Sequence, residues 1–323
     1  MESRGIVLNV NRLRLLREVA RRGTLAAAAD ALSYSPSAVS QQLSKLQAEV
    51  GVPLIEPVGR SVTLTPQGEL LVRHADAILD RIEQAEAELA AASGTVTGRL
   101  HVASFQSVAL GWLPAVLSLL RHRHPGVRID VTVREPDVAR VGLLSGDFDL
   151  MIDEEYTGDN PPVDDRLHRA TVADDPLRLV LPAAWGEVDC ITDLADAPWT
   201  FEPVGSQAYG WCVDYCRSRG LEPDVRYEFD DLMIRLRFIE TGHAATLLPE
   251  LGASVADQDR VRVIGLADEP SRRIQTVVRT ATVGHPAIVA FRHAIGEVAN
   301  GADGRTGEGQ EQPHWRTPRR TAG

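Results

Sequence analysis

The feature that most constrains the fold is a pair of short amphipathic segments, separated by a polar break, in residues 24–50. The second segment begins at Ser35 and Pro36, a pair typical of a helix start, because serine caps a helix and proline fits its first turn. Its apolar side chains recur at helical spacing and are Val39, Leu43, Leu46 and Val50. The first segment has a matching stripe, made of Leu25, Ala28, Ala29 and Leu32. We therefore expect two short helices that pack closely through the small alanines.

The face of the second helix that lies away from its apolar stripe carries small polar side chains. Serine and glutamine can bond base edges or phosphates, and lysine can reach a phosphate. A helix of this kind fits the major groove of DNA, although a solvated polar face is also the default for any surface helix. The candidate DNA-binding residues of this region are Thr24, Ser35, Pro36, Ser37, Ser40, Gln41, Ser44 and Lys45.

The residues that follow favour the DNA-binding interpretation. Gly51 ends the second helix, and residues 58–64 read as a turn that enters a short strand. A hairpin placed after a helix-turn-helix is a wing. Arg60 at its tip is suited to enter a minor groove or to hold a phosphate.

The net charge of −11 is divided unevenly along the chain. Residues 1–65 hold eight basic and five acidic side chains, a net charge of +3, which leaves −14 for the remainder. This asymmetry fits a DNA-binding head on a body that DNA repels. A head of only +3 is a modest electrostatic anchor, so two heads in a dimer would hold DNA more effectively.

A long helix is predicted after the wing, over residues 66–93, with Thr65 as its N-cap. Its apolar side chains form a narrow heptad seam bordered by charged residues, which favours a two-helix coil between protomers. The alternative is an amphipathic helix that lies on its own body. The candidate dimerisation residues are Leu71, Ala75, Ile78, Ile82, Ala85 and Leu89.

Strand and helix patterns alternate after Gly98, which predicts an α/β domain in two similar lobes with parallel strands. The first lobe is expected to contain strand 99–103, helix 109–121, strand 128–133, helix 137–144 and strand 148–152. The second set comprises strands 177–181, 199–201, 225–229, 245–248, 261–264 and 274–279, with helices 209–219 and 232–241. A final helix at 286–299 returns to the first lobe. The last residues, 301–323, lack an apolar pattern and predict a disordered tail.

Taken together, these segments resemble the LysR-type transcriptional regulators. The resemblance covers residues 8–300. The residues that carry it are Ala28-Ala29, Leu32, Ser35 to Ser40, Leu43, Leu46, Gly51, Pro53-Leu54, Leu64 to Gly68, Leu144 to Leu150 and Gly242 to Pro249. Two departures stand out. The family usually has Phe-Glu-Arg at Ile55-Glu56-Pro57, so a basic residue is missing before the wing, and His243 stands where the family often has glycine.

The resemblance implies a winged helix-turn-helix head at 8–65, a linker and dimerisation helix at 66–94 and an effector-binding domain at 95–300. That domain has the type II periplasmic-binding-protein fold, with lobe 1 at 95–168 and 270–300 and lobe 2 at 169–269. The implied partners are a near-palindromic promoter DNA, a small-molecule effector, further copies of the chain in a dimer or tetramer, and RNA polymerase.

An effector is expected in the cleft between the lobes, because ligands of open α/β sheets bind at the carboxyl ends of parallel strands. Hydroxyls and free N–H groups at helix starts there suit a polar group, although the serines are equally good N-caps without a ligand. The candidate effector-binding residues are Ser104, Phe105, Gln106, Ser107, Arg134, Asp153, Glu202, Ser206, Asp230 and His243.

Acidic residues dominate these strand ends. Carboxylates follow one strand at 153–155 and another at 230–231, against the single base Arg134. If several of them face the cleft, an amine-bearing or polyhydroxyl effector fits better than a simple carboxylate. The alternative is that they are exposed acidic loops, which are common in a chain of this charge.

The sequence lacks the motifs that are typical of several other classes of protein. Three cysteines do not form a disulfide scaffold, and Cys212 and Cys216 are more typical of buried apolar positions than of a redox or metal pair. No common catalytic motif is present, so an enzyme is disfavoured. A solute-binding module without DNA function would not need residues 8–65. With no membrane-spanning run and no signal-peptide core, we expect a cytoplasmic protein that uses no cofactor and no metal.

Overall fold

The chain is described by a computed structural model that covers residues 7–32, 34–59, 61–158, 163–188 and 190–302, and of residue 302 it describes the backbone only. The predicted wing residue Arg60 and most of the predicted tail, residues 303–323, lie outside the described residues. No helix among the described residues is both long and apolar enough to cross a membrane.

The head is a three-helix unit followed by a hairpin. Its elements are α1 (Val10–Arg22), α2 (Leu25–Ala31), α3 (Pro36–Val50), β1 (Ile55–Val58) and β2 (Ser61–Leu64). The two predicted helices and the hairpin are confirmed, with β1 and β2 antiparallel. The sequence analysis did not single out α1. Its Leu15, Leu16 and Val19 complete the core that the stripe of α3 packs into.

A single long helix, α4 (Pro66–Ala92), leaves the head as predicted. The Thr65 hydroxyl accepts a hydrogen bond from the Gly68 amide at 3.0 Å and caps it. The first turn of α4 lies directly against the head, because a Cβ built at Gly68 falls 2.0 Å from the Leu54 carbonyl oxygen. Only glycine allows this approach, which sets the angle between head and helix.

The predicted heptad seam on α4 is only partly available to a second chain. Ala75 is fully buried and Leu71 packs against the head core, so these two positions serve packing within the chain. This corrects the prediction, and Leu79, outside the seam, is also buried. The exposed part of the seam begins one turn later and consists of Ile78, Ala85 and Leu89, with Ile82 half-buried.

Lobe 1 of the effector-binding domain is the predicted βαβαβ unit with two further strands. Its elements are β3 (Gly98–Ser104), α5 (Gln106–Gly111), α6 (Leu113–Arg123), β4 (Val127–Val133), α7 (Pro136–Ser145) and β5 (Leu150–Tyr156). Strand β3 is parallel to β4 and β5. The helix predicted at 109–121 is two helices, since α5 ends at Gly111 and α6 starts again before Pro114.

Lobe 2 follows a strand that is much longer than predicted, β6 (Leu167–Pro182). The lobe then contains β7 (Pro198–Phe201), α8 (Gln207–Ser218), β8 (Asp224–Glu228), α9 (Leu232–Glu240), β9 (Thr246–Pro249), α10 (Glu250–Ala253) and β10 (Val261–Gly265). The chain returns to lobe 1 through β11 (Ser271–Arg279) and ends in α11 (Pro286–Ala302), which runs two residues into the predicted tail.

Both lobes share β6. Over the described residues, seven strands form one sheet in the order β10-β6-β11-β5-β3-β4, with β9 also paired to β6. The first half of β6 pairs with β11 up to Pro176, and the second half pairs with β9 and β10. The predicted lobe boundary at 168/169 is therefore wrong by about eight residues. The chain crosses between lobes near residue 176 and returns near residue 270.

Candidate DNA-binding face and effector cleft

The recognition helix α3 is divided cleanly into two faces. Val39, Leu43 and Leu46 are fully buried in the head core. The predicted DNA-binding residues of this helix and its cap are all exposed, namely Ser35, Pro36, Ser37, Ser40, Gln41, Ser44 and Lys45. The local sequence produces this division, because apolar residues at helical spacing turn every intervening polar side chain outward.

Three of these side chains are free to bind a ligand. Ser40, Gln41 and Lys45 make no side-chain hydrogen bond within the described part of the chain. Ser35 is instead the cap of α3, accepting from the Ala38 amide at 3.2 Å, and the Ser44 hydroxyl donates to the Ser40 carbonyl at 2.9 Å. Thr24, also predicted to bind DNA, is half-buried and caps α2 by accepting from the Ala27 amide at 3.1 Å.

The arginines of α1 contribute little to the charge of this face, because several are paired inside the chain. Arg12 pairs with Glu49, and Arg21 with Asp76 of α4 at 3.2 Å. Arg22 reaches Asp147 of the effector-binding domain at 2.6 Å. The net charge of +3 therefore overstates the free positive charge of the head.

One exposed residue beside the recognition helix was missed. Tyr34, in the break between α2 and α3, keeps 48% of its surface exposed. The signal was present, since an aromatic residue in a polar turn has no core position to fill. The hairpin tip has Gly59 at φ +61°, in the left-handed region that favours glycine in a tight turn.

The second candidate site is a cleft between the two lobes. Its inner cavity measures about 40 Å³, room for about three water molecules, and it opens into an outer cavity of about 300 Å³. The inner cavity is lined by side chains from both lobes and from the crossing strands, including Phe105, Ser107, Glu154, Glu202, Arg235 and Arg272. Five stretches of chain that are distant in sequence thus meet at one place.

Arg272 organises the floor of the cleft. It is 3% exposed, and its guanidinium lies 4.9 Å from the centre of the Phe105 ring. The Nε and Nη2 groups donate to Asp175 at 3.0 and 2.7 Å, Nη1 donates to Glu154 at 2.5 Å, and Nη2 donates to the Ser107 hydroxyl at 2.7 Å. Two carboxylates and a hydroxyl therefore surround one buried cation.

Carboxylates dominate the remaining wall. Glu202 is paired with Arg235 at 3.0 Å, whereas Glu135 and the Asp230 side chain have no hydrogen bond or ion pair within the described residues. Burial in the cleft, followed by the charges of Glu202, Glu154 and Asp230, raises the pKa of Glu135 to about 7. Burial also raises the pKa of Glu154, against the opposing charge of Arg272. The cleft holds more negative charge than its two arginines neutralise.

Gln106 connects the lobes directly. Its amide nitrogen donates to the Asp230 carbonyl at 2.8 Å, and its amide oxygen accepts from the Leu232 amide at 2.7 Å. Both bonds run from the start of α5 in lobe 1 to the start of α9 in lobe 2. The single side chain of Gln106 therefore holds the two lobes together at the edge of the cleft.

Half of the predicted effector-binding residues line the inner cavity, and these are Phe105, Gln106, Ser107, Glu202 and Asp230. Ser206 lines the outer cavity, but its hydroxyl caps α8 by accepting from the Tyr209 amide at 3.0 Å. The interpretation of the serines as caps thus holds for Ser206. It does not hold for Ser107, whose hydroxyl accepts from Arg272.

The other four predicted residues line neither cavity. Ser104 is fully buried and donates to the neighbouring Phe105 carbonyl. Asp153 is paired with Arg140 and Arg169 on the opposite face of β5, because successive strand residues point to opposite sides. Arg134 is exposed and donates to its neighbouring carbonyl at Val133. His243 lies near the Phe238 ring before β9 begins, at the opposite end from the cavity.

The sequence analysis missed the residues that determine the charge of the cleft. Glu154 could have been predicted, because it directly follows Asp153 on the strand and its side chain therefore faces the other side of the sheet. Glu135, Arg235 and Arg272 carried no local signal, since nothing in their neighbourhoods shows that β11 and α9 meet β5.

The two cysteines of α8, Cys212 and Cys216, are unsuited to redox chemistry. Cys212 lines the inner cavity, and burial raises the pKa of its thiol well above the usual value. Burial also raises the pKa of Cys216 to about 12. The thiolate is the reactive form, so both groups are unreactive near neutral pH. Over the ranges that the structure describes, no group of three or more His, Cys, Asp and Glu side chains is arranged to hold a metal ion.

Two family profiles match the chain and together span most of it. The LysR substrate binding domain matches residues 93–300. The helix-turn-helix of bacterial regulatory proteins of the lysR family matches residues 10–69.

Relatives with similar sequences are transcriptional regulators. The RuBisCO operon transcriptional regulator of Acidithiobacillus ferrooxidans is 32% identical over 68% of this chain and 71% of its own length. The regulator GltR of Bacillus subtilis is 25% identical over 88% of this chain and 95% of its own length. A probable RuBisCO transcriptional regulator of Gracilaria tenuistipitata var. liui is 28% identical, and the match spans only 58% of that relative.

Solved structures share the fold of the whole chain. A full-length OxyR variant from Pseudomonas aeruginosa has a TM-score of 0.65 at 18% identity, covering 90% of this chain and 98% of that one. CbnR in complex with its target DNA has a TM-score of 0.52 at 21% identity, covering 90% of this chain and all of that one. These TM-scores show a shared fold at low sequence identity.

Proposed function

This chain belongs to the LysR family of transcriptional regulators, and we propose that α3 reads its DNA site while a small molecule bound between the lobes controls the outcome. The observation that carries the proposal is the exposed polar face of α3. Its opposite face is anchored in the head core, so Ser40, Gln41 and Lys45 project from a rigid support. Gln41 and Ser40 are suited to base edges, and Lys45 to a phosphate.

Two heads are needed to read a near-palindromic site, and α4 supports their pairing. A helix of 27 residues extends on the order of 40 Å, and from its middle onward it exposes Ile78, Ala85 and Leu89. Leu89 keeps 72% of its surface exposed on a charged helix. We assign this shortened seam to the dimer. Half-sites one helical turn or a multiple of it apart are then expected.

The cleft provides the control. The two lobes share β6 and are bridged by Gln106, so a ligand that fits one degree of closure better than another shifts the balance between them. The contact of Arg22 with Asp147 and that of Arg279 with Glu83 at 2.9 Å tie this domain to the head and to α4. Closure is thereby passed to the spacing of the heads. The protein would act in the cytoplasm, where it meets chromosomal DNA and RNA polymerase.

Selection of genomic DNA fragments by the purified full-length protein tests the proposal. We expect enrichment of an inverted repeat. The variant Ser40→Arg places a bulky charge at the centre of the reading face and should lose the motif. Asp196→Asn, an exposed change in lobe 2, is the matched control and should retain it. The proposal fails if the folded, dimeric protein enriches no sequence, with or without added cell metabolites.

A further inference from the structure

We propose that the effector of this cleft is a small organic amine. The inference rests on the proposed role of the cleft as the effector site. Its basis is the state of the charged groups that face the cavity. The arginines are already committed to partners in the chain, whereas carboxylates from both lobes are not.

Both arginines already have carboxylate partners within the chain. Arg272 directs four N–H contacts to Asp175, Glu154 and Ser107. Arg235 is paired with Glu202 across the wall of the cavity. At Arg272 an organic anion would have to displace a buried carboxylate and leave it unpaired, which is costly in a desolvated site. At Arg235 the anion would have to share one cation with Glu202.

The unpaired groups are two solvent-exposed carboxylates on facing lobes. Glu135 precedes α7 in lobe 1 and Asp230 precedes α9 in lobe 2, and both line the inner and the outer cavity together with Glu202. A positively charged nitrogen between them would gain charge-assisted hydrogen bonds from both lobes. Such a ligand favours the closed arrangement, because opening separates the two carboxylates.

The electrostatics of Glu135 point to the same ligand. The groups that face it are Glu154, Glu202 and Asp230, with only Arg235 of opposite charge. Desolvation raises the pKa of Glu135 most, and the repulsion from these carboxylates adds to it, bringing the pKa to about 7. Arg272 lies across the same cavity. A bound cation reverses this balance and favours the ionised form of Glu135. Binding is therefore linked to release of a proton.

The sizes of the two cavities limit where the amine can lie. The inner cavity of about 40 Å³ holds only about three water molecules, so most of the ligand would occupy the outer cavity of about 300 Å³. Glu135, Glu202 and Asp230 line both cavities, so their carboxylates remain within reach of an ammonium group there.

The test uses matched compounds that differ in one group. Aminobutanol, butanediol and hydroxybutyrate present an ammonium, a hydroxyl and a carboxylate on similar skeletons, and agmatine and spermidine extend the amine set. Thermal unfolding of the full-length protein is measured with each compound at pH 8. We expect only the amines to raise the melting temperature. The proposal is overturned if the anion or the diol raises it instead, or if no amine does.

Two further measurements assign the effect to the cleft. The dissociation constant of the best amine should be about tenfold lower at pH 8 than at pH 6, because Glu135 must lose its proton. In Glu135→Gln the affinity should fall at least fivefold and this pH dependence should disappear. Asp196→Asn, an exposed carboxylate outside the cleft, should keep both. An amine that binds equally to Glu135→Gln is not bound at this site.

DNA selection run in parallel separates the two proposals. If the inverted repeat is enriched while only anions bind the cleft, the protein is a regulator with a different effector. If no sequence is enriched in any condition, the proposed function fails, whichever compound binds.

Discussion

The recognition helix and the effector cleft solve the problem of presenting polar groups in opposite ways. On α3 the functional side chains come from one run of 15 residues, are exposed, and are held in place by an apolar face directly beneath them. In the cleft they come from positions as distant as Phe105 and Arg272, and most of their charges are already paired.

This difference indicates what determines the ligand specificity of each site. The head offers unpaired donors and acceptors to a large polar partner, so its selectivity lies in the pattern of one surface. The cleft has little free space and a surplus of negative charge, so its selectivity lies in what a ligand must neutralise. Changes in the first should alter binding alone, whereas changes in the second should alter binding and stability together.

The largest effect is expected from Arg272→Met. The substitution removes the cation between two buried carboxylates, Glu154 and Asp175, and should lower the free energy of unfolding by about 3–5 kcal/mol at pH 7. Denaturant titration of the full-length protein measures it. The neighbouring exposed pair, Arg273 with Asp174, is the control, and Arg273→Met should cost less than about 1 kcal/mol. If both variants lost the same free energy of unfolding, Arg272 would contribute no more to stability than an exposed ion pair.

The next effect concerns the head. Gln41→Ala removes one side chain able to read a base and should weaken binding to the selected motif by about 1–3 kcal/mol, with stability unchanged. Lys45→Ala is the contrasting variant, because it should weaken binding to all sequences alike and reduce the salt dependence. Gel-shift titrations on specific and scrambled DNA decide between them. If Gln41→Ala binds the motif as tightly as before, another residue does the reading.

A smaller effect is expected at the bridge between the lobes. Gln106→Leu removes both cross-lobe hydrogen bonds, so the Leu232 amide should exchange with solvent about five- to tenfold faster. The Met233 amide is a built-in control, because it donates to the Asp231 side chain at 2.8 Å and does not involve Gln106. Unchanged exchange at Leu232 would show that Gln106 does not hold the cleft closed.

The smallest effect is a pH dependence, because Glu135 is exposed and solvent screens its interactions. The folded state raises the pKa of Glu135 to about 7 from a value near 4.5, so its contribution favours folding below the lower value and is lost as the pH rises through 7. Glu135→Gln should therefore stabilise the protein more at pH 8 than at pH 5. Thermal melts at the two pH values measure the difference. A gain that is equal at both, or larger at pH 5, contradicts the assignment.

The same contrast explains how much the sequence could reveal. The stripe of Val39, Leu43 and Leu46 predicted α3 and its exposed face without knowledge of the rest of the fold. Local signals also predicted the wing, α4 and most strands of both lobes. Caps and periodicities act over a few residues, so they can be identified from the chain itself.

The cleft was only half predictable, for reasons that are also local. Asp153 was chosen over Glu154 because the pattern located the strand end but not which side chain faced inward. Arg272 and Arg235 depend on contacts across 97 and 33 residues, which no short-range pattern records. On α4, the burial of Ala75 reflects packing by other parts of the same chain.

The continuity of β6 has a consequence for how the effector-binding domain melts and evolves. A single strand supplies hydrogen bonds to β11 in one lobe and to β9 and β10 in the other, so neither half has a complete sheet without it. The two lobes should unfold in one cooperative transition rather than in succession. For the same reason, neither lobe can be replaced on its own by the corresponding lobe of a relative. New effector specificities in this architecture must arise by side-chain changes within one shared sheet.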